Sequence, residues 1–401
     1  MVGSDTTRSA DHPPTSEPER RPGWRARHRR LIRVVLISVA AFLALVLALG
    51  TVLYLRLDAK IKTFSPKGIT TTAPKRPATL NSANILLIGS DSRSGTNSSL
   101  GGKGTAVGRS DTTLLVHVYA DHKRAVAVSI PRDSLVTIPR CLMPDGTWTT
   151  PQHDVMFNGA FSVGQTAAGN PQCTQNTVTE LTGLKIDHTI VANFAGFAAM
   201  STAVGGVPVC LPHAVYQGDL NPNLHAQGKL LFRAGIQKVS GGRALQYVRI
   251  RHGLGDGSDI GRIRRQQAFL ASLIRTVRAQ GLTSSHLLPL VDAATKNLTF
   301  DPTLGNPAKL LSFALSLRHI APADITFVTV PWRYDGARVA IRHPDAEQLW
   351  QALQKDQTIG TQHTGAGGTQ GHHKNHGGLP PSVSEGLRTG NTGVCSDLAY
   401  G

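Results

Sequence analysis

The sequence predicts an α/β protein, a mixed central β-sheet sandwiched by helices and preceded by one transmembrane helix. Three observations predict it. From residue 84 onward, short apolar runs of strand length alternate with longer stretches of helical periodicity. Within that region, Gly108 to Asp133 holds two almost continuously apolar runs, as expected of strands covered on both faces. Ahead of it, Val34 to Leu55 carries no charge, and at ~1.5 Å per residue a helix of that length crosses roughly 30 Å of hydrocarbon.

Residues 1–33 read as a cytoplasmic, disordered basic tail: the first 23 are rich in Pro, Ser, Thr, Arg and Glu without periodicity. The apolar run at 34–55 exceeds the ~7–15 residues of a signal peptide, and no small-residue cleavage site follows it at once. Arg25, Arg27, Arg29, Arg30 and Arg33 precede it, so the positive-inside rule places the amino end in the cytoplasm and the rest of the chain outside the cell membrane. The formal net charge of +17 calls for an acidic partner, and where the charge lies decides which. The arginine run is a topology signal attracted to the lipid bilayer, and nucleic acid is not an expected partner. Residues 56–83, with Pro66, Pro74 and Pro77 among Thr and Lys, read as an extracytoplasmic spacer.

The domain is expected over 84–356. Asn84 to Gly89 is a short apolar strand, followed by a Gly/Ser/Asn-rich loop to Val107, and Gly108 to Asp133 forms a hairpin. Helices are expected at Phe157–Ala168, Thr174–Leu184, Phe194–Val204, Gly241–Arg249, Asp259–Arg278, Ser284–Lys296, Ala308–Arg318 and Pro344–Lys355. Strands are expected at His188–Asn193, Val207–Leu211 and Ile325–Val330. Residues 357–401 read as a Gly/His-rich linker and tail, in which His372, His373 and His376 lack the carboxylates or thiols that would complete a ligand set. The four cysteines show no metal spacing. Outside the membrane they should pair; of three connectivities, Cys141 with Cys173, the two closest, leaves Cys210 with Cys395.

Two charged segments carry the candidate chemistry. Folding the hairpin about Asp121 and His122 pairs positions that sum to about 243, which sets Asp111 opposite Arg132 and brings Arg109 and Asp133 to the same edge. In Tyr247 to Gln267, a glycine-rich loop feeds a helix on which Asp259, Arg262 and Gln266 share a face, with Arg265 flanking it and Arg264 pointing away. Arg249 and Arg251 would share a side of an extended exit. Planar guanidiniums meet phosphate oxygens two at a time and keep their charge. Asp91 and Asp111, at adjacent strand ends, suit Mg²⁺, which takes one or two carboxylates and completes its octahedron with phosphate oxygens and water. Either aspartate also reads as a turn residue or as an ion-pair partner of Arg93 or Arg132. No nucleophile elbow, zinc motif or Walker loop occurs, which favours direct displacement at phosphorus.

These segments, NILLIGSDSR (84–93), GRSDTTLLVHV (108–118), VSIPRDS (128–134), FNGAFSVG (157–164), DHTIVANFAGF with GGVPVCLP, and ALQYVRIRH with DIGRIRRQQ, together resemble the LytR-CpsA-Psr family of membrane-anchored phosphotransferases. The resemblance covers roughly residues 84–280. It implies the same α/β/α domain, and a reaction in which a glycopolymer on a polyprenyl-pyrophosphate carrier passes, with its proximal phosphate, to a peptidoglycan hydroxyl. It implies Mg²⁺ at Asp91 and Asp111, and pyrophosphate contacts from Arg109, Arg132, Arg249, Arg262 and Arg265. The sequence does not single out a general base: Asp259 and a carboxylate freed from the metal are the two candidates. The long loop between Asp91 and Arg109 departs from the compact motif spacing. A polyprenyl-pyrophosphate hydrolase and a non-catalytic lipid-pyrophosphate-binding adaptor are the alternatives.

Overall fold

The computed structural model describes residues 24–70, 81–92, 108–163, 171–221, 224, 226–255, 257–281, 284–359, 380–384 and 387–396. Residues 1–23 of the expected amino-terminal tail, most of the Gly/Ser loop and the Gly/His tract lie outside these residues, whereas residues 24–33, expected as part of the disordered tail, are helical because they continue the apolar helix that follows. The chain divides into two units, Met1–Arg56 and Leu57–Gly401. In the first, helix α1 (Trp24–Asp58) contains the expected span: from His28 its apolar window has a mean hydropathy of 2.8 and, among the described residues, no buried side chain. Among the described residues it is the one helix long and apolar enough to cross a membrane.

The second unit opens with β1 (Lys62–Thr63) and then β2 (Ala83–Ser90). The predicted hairpin is β3 (Ser110–Val118) and β4 (Ala125–Ile130), antiparallel in the expected register, with Val118 opposite Ala125 and Thr113 opposite Ile130. Its turn closes because Asp121 Oδ1 accepts from the Lys123 and Arg124 amides and His122 adopts a left-handed φ of 53°. Strands β5 (Ser134–Ile138) and β6 (Gln152–Met156) follow, then a 3₁₀ turn at Phe157–Ser162. That turn corrects the longer helix expected from Phe157. The remaining expected half, beyond Val163, lies outside the described residues.

Helix α2 (Pro171–Thr182), β7 (His188–Ala192), α3 (Phe194–Ala203), β8 (Val207–Leu211), β9 (Val215–Tyr216), β10 (Leu230–Phe232) and β11 (Gly235–Val239) come next. Helix α3 starts where Asn193 accepts from the Gly196 amide. Helices α4 (Gly241–Arg249), α5 (Asp259–Gln280) and α6 (Ser284–Asn297) lead through β12 (Leu298–Phe300) to α7 (Pro307–Ser316). The last elements are β13 (Ile325–Thr329), β14 (Trp332–Asp335), β15 (Arg338–Ile341), α8 (Asp345–Gln354) and β16 (Arg388–Thr389).

The central sheet runs β1-β12-β7-β2-β3-β4-β13-β16 and is mixed: β7 and β13 lie parallel to β2 and β4, and the hairpin pairs are antiparallel. One face buries Leu86, Ile88, Leu115, Val126 and Val128 against Phe157, Val178, Leu349 and Trp350. The alternate residues, Leu87, Leu114, Val116 and Ala127, meet Leu270, Ala271 and Ile274 of α5 and Phe313 of α7. Period-two side chains thus feed helical layers on both faces, an α/β/α sandwich.

Three features differ from the sequence expectation. A four-stranded sheet, β14-β15-β5-β6, stands beside the central one. The expected spacer is partly docked: β1 pairs with β12, and Asn176 accepts from the Thr70 amide at 2.9 Å while donating to the Gly68 carbonyl at 2.8 Å. The expected tail returns as β16 on β13, held by Arg275, which donates to the Thr392 carbonyl at 2.9 Å. The disulfides are Cys141–Cys173 and Cys210–Cys395, the latter spanning 185 residues.

Candidate active site

The site forms where β3 and β4 end beside the start of α5. A bulge shifts the β2–β3 register between Gly89 and Ser90: Gly89 pairs with Thr112 and Ser90 with Ser110, so Asp111 is the extra residue. Bulges re-aim side chains at sheet rims, and this one lets Asp111 Oδ1 meet Arg132 Nη1 at 2.7 Å. The expected opposition of Asp111 and Arg132 is therefore present. Arg132 sits after β4 on a backbone held from two sides: its carbonyl accepts from the Asn158 amide at 3.0 Å, and the Asp133 carbonyl from the Val339 amide at 3.3 Å.

The start of α5 supplies the other half. Ser258 caps the helix by accepting from the Gly261 amide at 3.0 Å. Asp259 Oδ1 then lies 3.2 Å from Arg132 Nε and also pairs with Arg262, while Asp133 Oδ1 approaches Arg132 Nε at 3.4 Å. Arg132 Nε is close to both carboxylates without an aligned hydrogen bond, and Asp259 Oδ2 is buried without a partner among the described residues. Gln266, one face-turn further, accepts from the Thr112 hydroxyl at 3.1 Å, and Arg264 is exposed as predicted.

Burial and charge pull against each other here. Burial works against the charge of Arg132, yet the bond to Asp111 and the charges of Asp259 and Asp133 hold its pKa above the ordinary arginine value. Burial raises the Asp259 carboxyl above its usual range, Asp133 and Asp111 adding to this and Arg262 and Arg132 opposing it. Burial also lowers the Arg262 guanidinium, with Asp259 opposing and Arg132 and Arg251 reinforcing. Asp259 thus stands between two cations in a dry setting.

A cleft of about 280 Å³ opens on this cluster, lined by Arg132, Asp133, Arg251, Asp259 and Arg262, and by Tyr334 and Arg338 of the β14–β15 hairpin. Four guanidiniums face two carboxylates, a balance suited to an anion.

The remaining predicted residues have other partners. Arg265 is 1% exposed and turns its fork into the Ile250 and Leu254 carbonyls, so it shapes the loop before α5 from within. Arg249 ends α4 and stacks 4.2 Å from the Phe194 ring centre; the extended exit expected for Arg249 and Arg251 is absent, and only Arg251 reaches the cleft. Arg109 exposes its side chain, while its backbone is clipped to Asp91: the Arg109 amide donates to Asp91 Oδ1 and the Asp91 amide to the Arg109 carbonyl at 3.1 Å. Arg93 lies outside the described residues. The sequence expectation does not include Tyr334 and Arg338: Asp335-Gly336 between the alternating pairs Trp332/Tyr334 and Val339/Ile341 signals a hairpin, but nothing in that local pattern ties it to the charged residues of the site.

Asp91 and Asp111 flank the bulge at neighbouring strand ends, each with one oxygen already engaged. Among the described residues no three His, Cys, Asp or Glu side chains gather as a ligand cluster. Two hard carboxylates that leave further positions to phosphate and water fit Mg²⁺ better than a metal needing an all-protein cage.

The fold and the cationic cleft define a protein of the α/β/α class built to hold an anionic ligand at a sheet rim. Solved structures share the fold: the chain matches the LytR-Csp2A-Psr enzyme from Actinomyces oris with a TM-score of 0.52 at 19% identity, over 73% of this chain and 95% of that one. Residues 55–356 match the LytR_cpsA_psr family model, and the protein belongs to that family. It is 32% identical over 276 residues to the cell wall biosynthesis protein LcpA of Corynebacterium glutamicum, 62% of this chain and 49% of that relative. It is also 27% identical over 248 residues to the polyisoprenyl-teichoic acid--peptidoglycan teichoic acid transferase TagT of Bacillus subtilis, covering 61% and 68% of the two chains. The matched stretch spans about half the length of the first of these relatives.

Proposed function

We propose that this protein transfers a glycopolymer, with its proximal phosphate, from a polyprenyl-pyrophosphate carrier to a peptidoglycan hydroxyl and releases polyprenyl phosphate. The observation that carries the reading is the Arg132–Asp259–Arg262 arrangement, tied to Asp111, at the mouth of an otherwise cationic cleft. The similarity to TagT, named as a polyisoprenyl-teichoic acid--peptidoglycan teichoic acid transferase, supports it.

In this reading Arg132, Arg251 and Arg262 bind the pyrophosphate and offset the charge that builds on it as the acceptor oxygen attacks the sugar-linked phosphorus. Asp111 and Asp259 hold Arg132 in place before substrate arrives, so little reorganisation is left for the reaction. Asp259, with its raised pKa and unpartnered oxygen, takes the proton from the attacking hydroxyl. Mg²⁺ at Asp91 and Asp111 would supply further neutralisation of the pyrophosphate. The span α1 anchors the protein in the cell membrane, amino end in the cytoplasm and the domain outside.

The test is product analysis with a lipid-pyrophosphate-linked glycan in the presence and absence of peptidoglycan. Covalent attachment of glycan phosphate to peptidoglycan is expected. Release of the same phosphate into water, at the same rate with or without peptidoglycan, would identify a hydrolase instead.

A further inference from the structure

The β14–β15 hairpin forms a wall of the cleft without belonging to the charged cluster. Along β14, Trp332 and Tyr334 stand two residues apart on one face of the strand, and their rings meet edge to face with centres 4.8 Å apart. Tyr334 stays 57% exposed while lining the cleft with Arg132, Arg251 and Arg262. An exposed tyrosine by itself means little. Here its position is fixed by backbone: β15 lies parallel to β5 with Val339 opposite Ser134, and the Val339 amide donates to the carbonyl of Asp133. The platform is therefore tied to the residues directly following Arg132, at the far side of Gly336, whose φ of 59° makes the turn.

Resting on the pyrophosphate reading above, we infer that Tyr334, braced by Trp332, is a stacking platform for the pyranose ring bonded to the bound phosphate, with Arg338 within reach of its hydroxyls. The chemistry matches. A pyranose presents a C–H face that packs on an aromatic ring and a rim of hydroxyls that accept from guanidinium, and rigid tyrosine supplies such contact at low entropic cost. The size matches too: about 280 Å³ lies at the low end of small-molecule sites (~300–1,000 Å³), which suits one sugar-phosphate unit and leaves the rest of the polymer in solvent. Tyr334 is thereby a specificity-determining residue. The cations select the pyrophosphate, and the hairpin selects what it carries.

The ring belongs either to the donor glycopolymer or to the peptidoglycan acceptor, and binding measurements separate the two. The full chain in detergent is titrated with a short prenyl pyrophosphate, with the same pyrophosphate bearing one N-acetylhexosamine, and with a soluble peptidoglycan disaccharide. Tyr334→Ala is expected to weaken the sugar-bearing lipid about tenfold, to leave the bare pyrophosphate unchanged, and to be rescued by Tyr334→Phe. A loss confined to the disaccharide would also support the platform and assign it to the acceptor. Unchanged affinity for both sugar ligands, or an equal loss on the bare pyrophosphate, would overturn it. The pyrophosphate reading has its own arm: if Arg132→Ala leaves affinity for the bare pyrophosphate intact, that reading fails, while the disaccharide titration still reports on Tyr334.

Discussion

Arg132 is held by three carboxylates, with Asp111, Asp133 and Asp259 all within 3.4 Å. Replacing it removes the one cation shared by the hairpin and the helix and leaves the buried Asp259 with less compensation. Arg132→Ala is expected to lower glycan transfer by about 10²-fold or more, and undiminished transfer in that variant would end its assignment. Asp259 sets the pH dependence. Its pKa in the folded protein is raised, so ionised Asp259 weighs against the fold at neutral pH, and that cost is relieved as pH falls through the raised value. In the proposed reaction catalysis responds oppositely, because protonation removes both the base assigned there and the charge between Arg132 and Arg262. Transfer should therefore fall as pH drops through the raised pKa, and Asp259→Asn should give a low, flat acid limb in a pH–rate profile.

At the scale of the element, what orders the site is how strand and helix ends are terminated. The bulge at Asp111 and the Ser258 cap of α5 bring the carboxylates of Asp111 and Asp259 onto the one guanidinium of Arg132. A parallel case lies away from the site, at the end of β12. Burial works against the ionisation of Asp301, but His188, Thr303 and the Thr189 amide hold its pKa below the ordinary carboxylate range. Asp301 accepts from the Thr303 amide at 2.8 Å and the Thr189 amide at 3.0 Å, stitching β12 to β7. Its folded-state pKa is lowered, so its contribution is present above the unfolded value of ~3.9 and disappears as pH falls through the folded one. Asp301→Ala should cost about 1–2 kcal/mol in urea unfolding at neutral pH, with the difference from the parent shrinking in acid.

For the whole molecule, the domain is wider than its apolar core suggested. Residues 62–70 add an edge strand and the Thr70–Asn176 contacts, and residues 387–396 add the opposite edge strand and a disulfide. A chain beginning at Leu57 should melt at a higher temperature than one beginning at Asn81, by calorimetry on the two. Cys395→Ser opens a cross-link over 185 residues and should cost about 2–5 kcal/mol, read as a lowered unfolding midpoint that reductant produces in the parent.

Much of this was legible in sequence because it depends on local period and local charge. The central hairpin register, the Asp111–Arg132 opposition, the shared face of Asp259, Arg262 and Gln266, the span and the main helices all follow from spacing within about twenty residues. Strands β1 and β16 were not legible, being two residues long with their pairing supplied by distant segments, whereas β14 and β15 pair with each other across Asp335-Gly336 and only their docking on β5 comes from afar. The fates of the arginines divide the same way. A fork buried against backbone carbonyls, as in Arg265, and one laid on an aromatic ring, as in Arg249, are written identically to Arg132 and Arg262 in sequence. The sequence by itself determined an α/β/α domain with an Arg/Asp rim, preceded by a helix long and apolar enough to cross a membrane. Only the tertiary structure decided which arginines form the cleft and that Tyr334 and Arg338 join them, because a guanidinium's role is set by the partners that folding brings to it.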